Sequence, residues 1–265
     1  MSERGMKVVL FCGGFGTRLR DYSDLLPKPL VEVGYRPIMW NLMKYYAHHG
    51  HKSFLLCLGY RGDLIKEFFL NYDDCLSTDF ELTLGETKKV NLCGPDILDW
   101  QIFFRDTGLH NNIGQRLLAV RSEVENEEMF LANYSDALCD MPLGDMIDRF
   151  RDSDAVAAFL AVRPSNTLSK IEFEANGTVT AIDYLSATVT INGGFFIFRP
   201  EIFRYIEPGD ELVEKPFARL IADKKLMAYG YDGFWCAMDT FKDKKKFDDM
   251  FESGNRPWEV WQRRV

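Results

Sequence analysis

The chain has 265 residues, 46% of them hydrophobic, and a net charge of −8 at neutral pH. This length fits one large α/β domain or two small ones, and the apolar content argues against a disordered chain. The acidic balance argues against non-specific binding of nucleic acid or membranes, so a phosphate site has to be a local cationic pocket.

The cysteines and histidines show no metal-binding or disulfide pattern. The chain has six cysteines and four histidines, and no two cysteines are spaced as C-x-x-C. Reduced cysteines in a cytoplasmic protein are the simpler interpretation. No run of about 20 apolar residues is present, and the N-terminus has no signal-peptide pattern, so we expect no membrane association.

The first predicted element is an apolar strand over residues 7–12, which runs directly into a glycine-rich loop. The loop reads Gly13-Gly14-Phe15-Gly16-Thr17-Arg18, and Pro27-Lys28-Pro29 follows it. Glycines let the backbone approach a polyanion and point N–H groups at phosphate oxygens. Arg18 and Lys28 would add full positive charge. This segment predicts a site for a nucleotide or another phosphate ester.

Helical and strand patterns then alternate along the chain. A helix is predicted from Pro37 to Gly50, a buried strand over Ser53–Leu58 and a helix over Gly62–Tyr72. We further predict strands at residues 100–104, 129–133, 155–162 and 190–198, the last interrupted by Asn192-Gly193-Gly194. Helices are predicted at 114–121, 142–152 and 241–252, and a hairpin at 170–182 around Asn176-Gly177. The order predicts an α/β fold with a Rossmann-like, mostly parallel central sheet flanked by helices and a small β-hairpin insertion. We expect a single domain over residues 1–265.

The glycine spacing distinguishes between kinds of phosphate-binding loop. The loop lacks the G-x-x-x-x-G-K-[ST] pattern of a P-loop. In the dinucleotide fingerprint G-x-G-x-x-G, the position of the last glycine is occupied here by Leu19. The pattern G-G-x-G-T-R-L followed by P-K-P instead resembles the sugar-1-phosphate nucleotidyltransferases. Further blocks resemble their glucose-1-phosphate cytidylyltransferase branch, at residues 44–50, 57–62, 106–108, 191–196, 232–235, 238–240 and 257–261.

The resemblance implies the fold of nucleotide-diphospho-sugar transferases and a reaction that joins a nucleoside triphosphate to a sugar 1-phosphate and releases pyrophosphate. It favours CTP as the nucleotide, Mg²⁺ as the cofactor, and residues 160–240 as the approximate acceptor-binding part. It also implies a cytoplasmic homo-oligomer, for which the aromatic tail with Trp258 and Trp261 is a candidate interface.

The resemblance also implies roles for individual residues. Arg18 would neutralise the departing phosphates, Lys28 would face the α-phosphate or the incoming phosphate, and Asp136 and Asp239 would bind the metal. The implied nucleotide and sugar contacts are Gly13, Gly14, Gly16, Thr17, Arg116, Asn192 and Gly193. Other interpretations stay open: a turn or cap residue for either Asp, a surface arginine for Arg116, and a β-bulge at Asn192-Gly193.

Two departures from the family pattern leave the substrate open. Ser135 and Ala137 flank Asp136 where the family has glycines, which predicts a narrower approach to the ligand. The family's E-K-P lysine, which grips the sugar phosphate, has no counterpart in residues 181–188. Arg163 and Lys170 are candidate replacements. UTP or dTTP, a non-glucose acceptor and a non-catalytic nucleotide-sugar-binding protein therefore stay as alternatives.

Two charged clusters are interpreted as structural. We assign His48, His49 and His51 to a helix end, where positive charge would complement the helix dipole. The basic run from Lys242 to Lys246 is interpreted as a solvated helix face.

Overall fold

The computed structural model of the protein describes residues 5–14, 26–94, 96–164, 169–184 and 189–262. The strands are, in chain order, β1 (Lys7–Phe11), β2 (Glu32–Val33), β3 (Arg36–Pro37), β4 (Ser53–Leu58), β5 (Phe80–Thr83), β6 (Lys89–Leu92), β7 (Gln101–Asp106), β8 (Phe130–Tyr134), β9 (Ala137–Cys139), β10 (Ala157–Val162), β11 (Ser169–Phe173), β12 (Val179–Tyr184), β13 (Ile191–Asn192), β14 (Phe196–Phe198), β15 (Leu226–Tyr231) and β16 (Trp235–Ala237).

The α-helices within the described residues are shorter than the predicted ones by a residue or two at most ends. They are α1 (Ile38–His48), α2 (Gly62–Leu70), α3 (Ile113–Ala119), α4 (Arg121–Val124), α5 (Leu143–Arg151), α6 (Lys215–Ala222) and α7 (Phe241–Glu252), with 3-10 turns at Lys28–Leu30, Asp74–Leu76, Pro200–Arg204 and Val260–Gln262. None of the helices in this part of the chain has the length and apolar character that crossing a bilayer requires.

The central sheet joins eight of the strands around a parallel core. β1 lies between β4 and β8 and is parallel to both, and β7 is parallel to β4 on its far side. β14 is antiparallel to β8, and β10 pairs with β13 and β14 antiparallel and with β15 parallel. The prediction of a Rossmann-like, mostly parallel sheet is therefore confirmed.

Two buried apolar layers cover the two faces of this sheet. Side chains alternate along β1, so that Val8 and Leu10 join the layer that contains Tyr46 of α1, whereas Val9 and Phe11 join the other. That second layer also contains Leu117 of α3 and Leu220 of α6. Because both faces are covered, β1 and β4 are almost continuous apolar runs, as is typical of buried parallel strands.

The structure differs from the predicted elements mainly in its short strands. The hairpin β11–β12 is confirmed, and Gly177 adopts the positive φ of 89° that its turn requires. The predicted interruption of the strand at 190–198 is confirmed: β13 and β14 are separated by a segment in which Gly194 and Phe195 are both at positive φ. The hairpin β5–β6 was missed because its residues are almost all exposed and alternate weakly.

The dipole interpretation of the histidines is wrong for His49 and His51. Burial lowers the pKa of both imidazoles to about 4, so neither carries a positive charge at neutral pH. His51 is buried, and its Nδ1 accepts a hydrogen bond of 3.0 Å from the backbone N–H of Met6. The neutral ring therefore ties the start of β1 to the loop before β4.

This burial predicts an acid-sensitive fold. A base whose pKa is lowered on folding contributes stability above its unfolded pKa and loses it as the pH falls toward the folded value. His51→Gln keeps an acceptor for Met6 but removes the titration. Between pH 7 and pH 5 the variant should lose about 2 kcal/mol less unfolding free energy than the wild type, as measured by urea denaturation. His48→Gln is the exposed control, and an equal loss in wild type and His51→Gln would contradict the assignment.

Candidate active site

The candidate site lies at the carboxyl ends of β1 and β8. These parallel neighbours are in register from Val8 opposite Leu131 to Phe11 opposite Tyr134. The hydroxyl of Ser135 donates a 2.9 Å hydrogen bond to the carbonyl of Phe11 and fixes the two strand ends together. Ligands of open α/β sheets bind in the crevice outside such strand ends. Gly13 and Asp136 follow these strands and are therefore at one edge of the sheet.

The short pair β9–β16 brings Asp239 to the same place. Ala137 pairs with Ala237 in antiparallel register, and the N–H of Met238 donates to the carbonyl of Asp136 at 2.8 Å. Asp136 precedes one strand of this pair and Asp239 follows the other by two residues. The antiparallel geometry therefore places the two carboxylates at the same end of the pair.

The ammonium of Lys28 lies between these carboxylates. Its Nζ is 2.5 Å from Oδ2 of Asp136 and 2.7 Å from Oδ1 of Asp239. Pro27 and Pro29 restrict the backbone on both sides of the lysine, which opens the 3-10 turn. Burial by itself would lower the pKa of Lys28, but the two carboxylates outweigh this effect and hold the pKa above its ordinary value. The lysine is thus a fixed positive charge.

Asp136 and Asp239 suit a hard divalent cation. Within the described ranges, no cluster of three or more histidine, cysteine or acidic side chains has metal-binding geometry. Mg²⁺ is usually held by only one or two protein carboxylates, with water and substrate phosphates filling its other positions. The two converging carboxylates, which lie beside the ammonium of Lys28, fit that mode.

Arg116 lies beneath the glycine loop in a buried position. The guanidinium is 2% exposed, so the interpretation as a surface arginine is wrong. One of its terminal nitrogens donates to the carbonyls of Leu58 and Gly108 and to Oγ1 of Thr107, at 2.8–3.0 Å. The other donates to the carbonyl of Gly13 at 3.0 Å and to that of Leu109 at 3.3 Å. Arg116 therefore links the loops that follow β1, β4 and β7.

The first loop glycine is needed for this arrangement. A Cβ on Gly13 would lie 2.1–2.6 Å from the Arg116 guanidinium, whereas a Cβ on Gly14 would meet no atom of the described residues within 4 Å. Gly13 thus leaves room for a side chain of the protein. Gly16, Thr17 and Arg18 lie outside the described residues.

The Asn192-Gly193 segment is a bulged turn beside Trp235. Oδ1 of Asn192 accepts from the N–H of Gly194 at 2.9 Å, and Nε1 of Trp235 donates to the carbonyl of Gly193 at 2.9 Å. A Cβ on Gly193 would be 3.0 Å from that indole nitrogen. The indole of Trp235 fills the space that the missing side chain of Gly193 leaves. A contact between this segment and the sugar stays a prediction.

The residues that flank Asp136 point into the protein. Ser135 is 5% exposed and bonds to Phe11, and Ala137 is 2% exposed within the β9–β16 pair. Their side chains are therefore held inside the sheet. Cys12 is also buried, and burial raises its pKa to about 12. Its thiol is protonated at neutral pH and is not a nucleophile.

A cavity of about 960 Å³ adjoins Asp239. It is bounded by Trp235 and by the side chains of α7 that include Lys242 and Lys246. The two replacement cations that we considered do not line it. Arg163 is exposed and paired with Asp232 at 3.2 Å, and Lys170 is exposed on the hairpin and paired with Glu172 at 2.6 Å.

Sequence reasoning missed the lysines of α7. We had interpreted the run as a solvated face, yet Lys244 is buried and Lys246 is half-buried. Their positions could have indicated this role. Lys242 and Lys246 are one helical turn apart on a helix that begins two residues after Asp239, so both lie on the side of α7 that faces the site.

Comparisons with known proteins agree with the motifs. The sequence matches the family described as Nucleotidyl transferase over residues 7–243. It is 34% identical over 260 residues to the glucose-1-phosphate cytidylyltransferase of Salmonella typhi, covering 97% of this chain and 100% of the relative. It is 33% identical over 262 residues to a probable glucose-1-phosphate cytidylyltransferase of Bacillus subtilis strain 168, with the same coverage.

A solved structure shares the fold. A UDP-glucose pyrophosphorylase in complex with UDP-glucose superposes with a TM-score of 0.68 at 12% identity and covers 94% of this chain and 99% of its own. At this identity the likeness shows the fold alone. The family match and the sequence relatives confirm the resemblance and the enzyme class drawn from the sequence.

Removing the Arg116 guanidinium should disorganise the site. Arg116→Ala removes the guanidinium donors from the carbonyls of Gly13, Leu58 and Gly108, of which Leu58 keeps the N–H and hydroxyl of Thr107, and should cost about 3 kcal/mol of unfolding free energy in urea denaturation. Arg105→Ala removes an exposed arginine of the neighbouring strand that pairs with Glu123 and should cost less than about 0.5 kcal/mol. Equal effects of the two substitutions would argue against the linking role.

Proposed function

Because the chain belongs to the nucleotidyl transferase family, we propose that it transfers CMP from CTP to a sugar 1-phosphate in a Mg²⁺-dependent reaction. The products are a nucleotide sugar and pyrophosphate. The observation that carries the proposal is the convergence of Lys28, Asp136 and Asp239, with Nζ 2.5 and 2.7 Å from the two carboxylates. CTP is favoured over other nucleotides because relatives at 33–34% identity over 97% of the chain are named glucose-1-phosphate cytidylyltransferases.

In the proposed reaction an oxygen of the sugar phosphate forms a bond to the α-phosphorus of the triphosphate. The bond from that phosphorus to the bridging oxygen of pyrophosphate breaks, and pyrophosphate leaves with the electron pair. Both reactants are anions, so positioning and charge neutralisation dominate the catalysis. This route needs no protein nucleophile, and it agrees with the protonated, buried thiol of Cys12 beside the loop.

The residues of the chain divide this work. The backbone at Gly13 and Gly14 borders the nucleotide, and Arg116 holds that backbone in place through the carbonyl of Gly13. Lys28 supplies a fixed positive charge where the α-phosphate and the incoming phosphate meet. Asp136 and Asp239 would hold Mg²⁺, which when bound supplies further positive charge to the phosphate oxygens. Arg18 is assigned to the departing phosphates from the motif.

The proposal includes a cytoplasmic homo-oligomer. Six free cysteines suit a reducing compartment. Trp258 of the aromatic tail is not available for the interface that we expected, because it is 1% exposed and packs against Phe234 and Phe247, whereas Trp261 is half-buried beside Trp40. The exposed apolar side chains on the hairpins offer better support for association, among them Phe80, Leu82, Phe173 and Ile182.

A substrate panel tests the reaction and its alternatives. The protein is incubated with Mg²⁺, one of CTP, UTP, dTTP, GTP or ATP, and one of several sugar 1-phosphates, and pyrophosphate is measured. We expect the highest kcat/KM with CTP and glucose 1-phosphate, and loss of release when EDTA removes the metal. A preference for UTP or dTTP would replace CTP as the proposed nucleotide substrate. No release with any pair, together with tight binding of a nucleotide sugar, would replace the enzyme with a binding protein.

The acidic pair should be essential to turnover. Asp136→Asn and Asp239→Asn each remove one charge next to the reacting phosphates, and each should lower kcat by at least about 100-fold. Asp148→Asn is the matched control, because Asp148 is an exposed carboxylate on α5 that pairs with Arg151. Turnover close to wild type in both site variants would remove the metal assignment.

A further inference from the structure

An acceptor with a phosphate group needs a cation beside the metal site, and the described residues offer one that the family motif does not contain. This inference rests on the proposed function, since it concerns how the second substrate is held. Arg163 and Lys170 are exposed, lie outside the cavity next to Asp239 and are engaged with Asp232 and Glu172. The cation has to come from elsewhere.

The cavity beside Asp239 carries three carboxylates and three lysines. They are Asp239, Asp243 and Asp249, with Lys242, Lys245 and Lys246. Each carboxylate already has a partner within the chain other than Lys246, so none of them is bonded to this lysine.

Each carboxylate of the cavity has a hydrogen-bond or ion-pair partner within the chain. Asp239 accepts from Lys28 at 2.7 Å. Oδ2 of Asp243 accepts from the N–H groups of Asp239 and Thr240 and from the Thr240 hydroxyl, at 2.8–3.2 Å, as part of the capping box that starts α7. Asp249 is 3.6 Å from Lys245, its exposed neighbour one turn away.

Lys246 is left as a positive charge with which no described residue pairs. It is half-buried in the cavity wall, and it makes no ion pair or hydrogen bond with any residue that the structure describes. It is five positions after Phe241, the first residue of α7, so its Cα lies roughly 7.5 Å along the axis from the helix start. Side chains on a helix lean toward its N-terminus. The lysine therefore leans toward the start of α7, which Asp239 precedes by two residues.

The remaining wall of the cavity suits the ring of a sugar. Trp235 lies between the Gly193 carbonyl, to which it donates, and the cavity. Ile191 and Met250 complete an apolar surface on either side. Carbohydrate rings present C–H faces that pack on aromatic side chains, while a phosphate on the same molecule needs a cation within reach. The cavity supplies both.

We propose that Lys246 of α7 binds the phosphate of the acceptor and takes the place of the missing E-K-P lysine, with the sugar ring against Trp235. Lys242, one turn nearer to Asp239, lines the same wall and adds to the positive potential. The grip is on oxygens of the acceptor phosphate that do not attack the α-phosphorus. Lys246 is thus a substrate-binding residue, separate from the nucleotide contacts at the glycine loop.

Steady-state kinetics of Lys246→Met test this assignment. Methionine keeps the length and packing of the side chain but removes its charge. With the best nucleotide from the panel, we expect the KM for the sugar 1-phosphate to rise about 10- to 100-fold, as for loss of one charged hydrogen bond, while the KM for the nucleotide changes less than about 2-fold. Lys246→Arg should restore most of the acceptor affinity, which a merely structural role would not require.

Lys170→Met is the matched control, because Lys170 is the other candidate lysine and lies on an exposed hairpin. It should leave the acceptor KM unchanged. A rise in acceptor KM for Lys170→Met with none for Lys246→Met would overturn the assignment. Equal rises in the KM for both substrates of Lys246→Met would also overturn it, since they indicate a general disturbance.

Calorimetric titration separates failure of this inference from failure of the proposed function. Glucose 1-phosphate and mannose 1-phosphate are titrated into wild type and Lys246→Met. Binding that depends on Lys246, without pyrophosphate release by the wild type, would keep this site and reject the reaction. Turnover by the wild type with an acceptor KM unaffected in Lys246→Met would keep the reaction and reject this site. If the wild type shows neither acceptor binding nor turnover, both this site and the proposed reaction are rejected.

Discussion

One partly buried ammonium between two carboxylates is the interaction on which the rest of the site depends. Asp136 and Asp239 would repel each other if they converged alone, and their charged forms would be costly at partial burial. Lys28 offsets this repulsion and is itself held charged by the pair. The three side chains come from a 3-10 turn, the end of β8 and the end of β16. Their mutual attraction therefore joins the 3-10 turn to the β9–β16 pair, at whose end the two carboxylates lie.

A second cation, Arg116, supports the glycine loop near Lys28. Arg116 satisfies carbonyls from three loops with a single planar group. Only a guanidinium has enough donors in a fixed plane for this, so lysine is not an equivalent substitute. The glycines at positions 13 and 59 are then explained by packing, because a Cβ on either one would collide with the guanidinium. A motif that suggests ligand contact can thus be partly an adaptation to an internal side chain.

Much of this organisation follows from local sequence patterns. The buried parallel strands, the helices between them and the hairpin at Asn176-Gly177 are visible as apolar periodicity and turn chemistry, and the family motifs indicated Lys28, Asp136 and Asp239 correctly as neighbours. The short pair β9–β16 could not be predicted, because three-residue strands carry no periodicity. The burial of Arg116 and the neutral state of His51 depend on tertiary contacts. The role of α7 as a cavity wall likewise depends on packing that the run of lysines does not reveal.

The long separation of the site residues has a consequence for biosynthesis. Lys28 and Asp239 are 211 positions apart, and β16 pairs with β9 only after most of the chain has left the ribosome. The N-terminal strands can begin to assemble earlier, since β1 and β4 are near neighbours in sequence. During translation the glycine loop and Asp136 would therefore exist for some time without Asp239, and contacts of such high sequence separation form late and slowly. A nascent chain that stops short of β16 would display half of the acidic pair and have no competent centre.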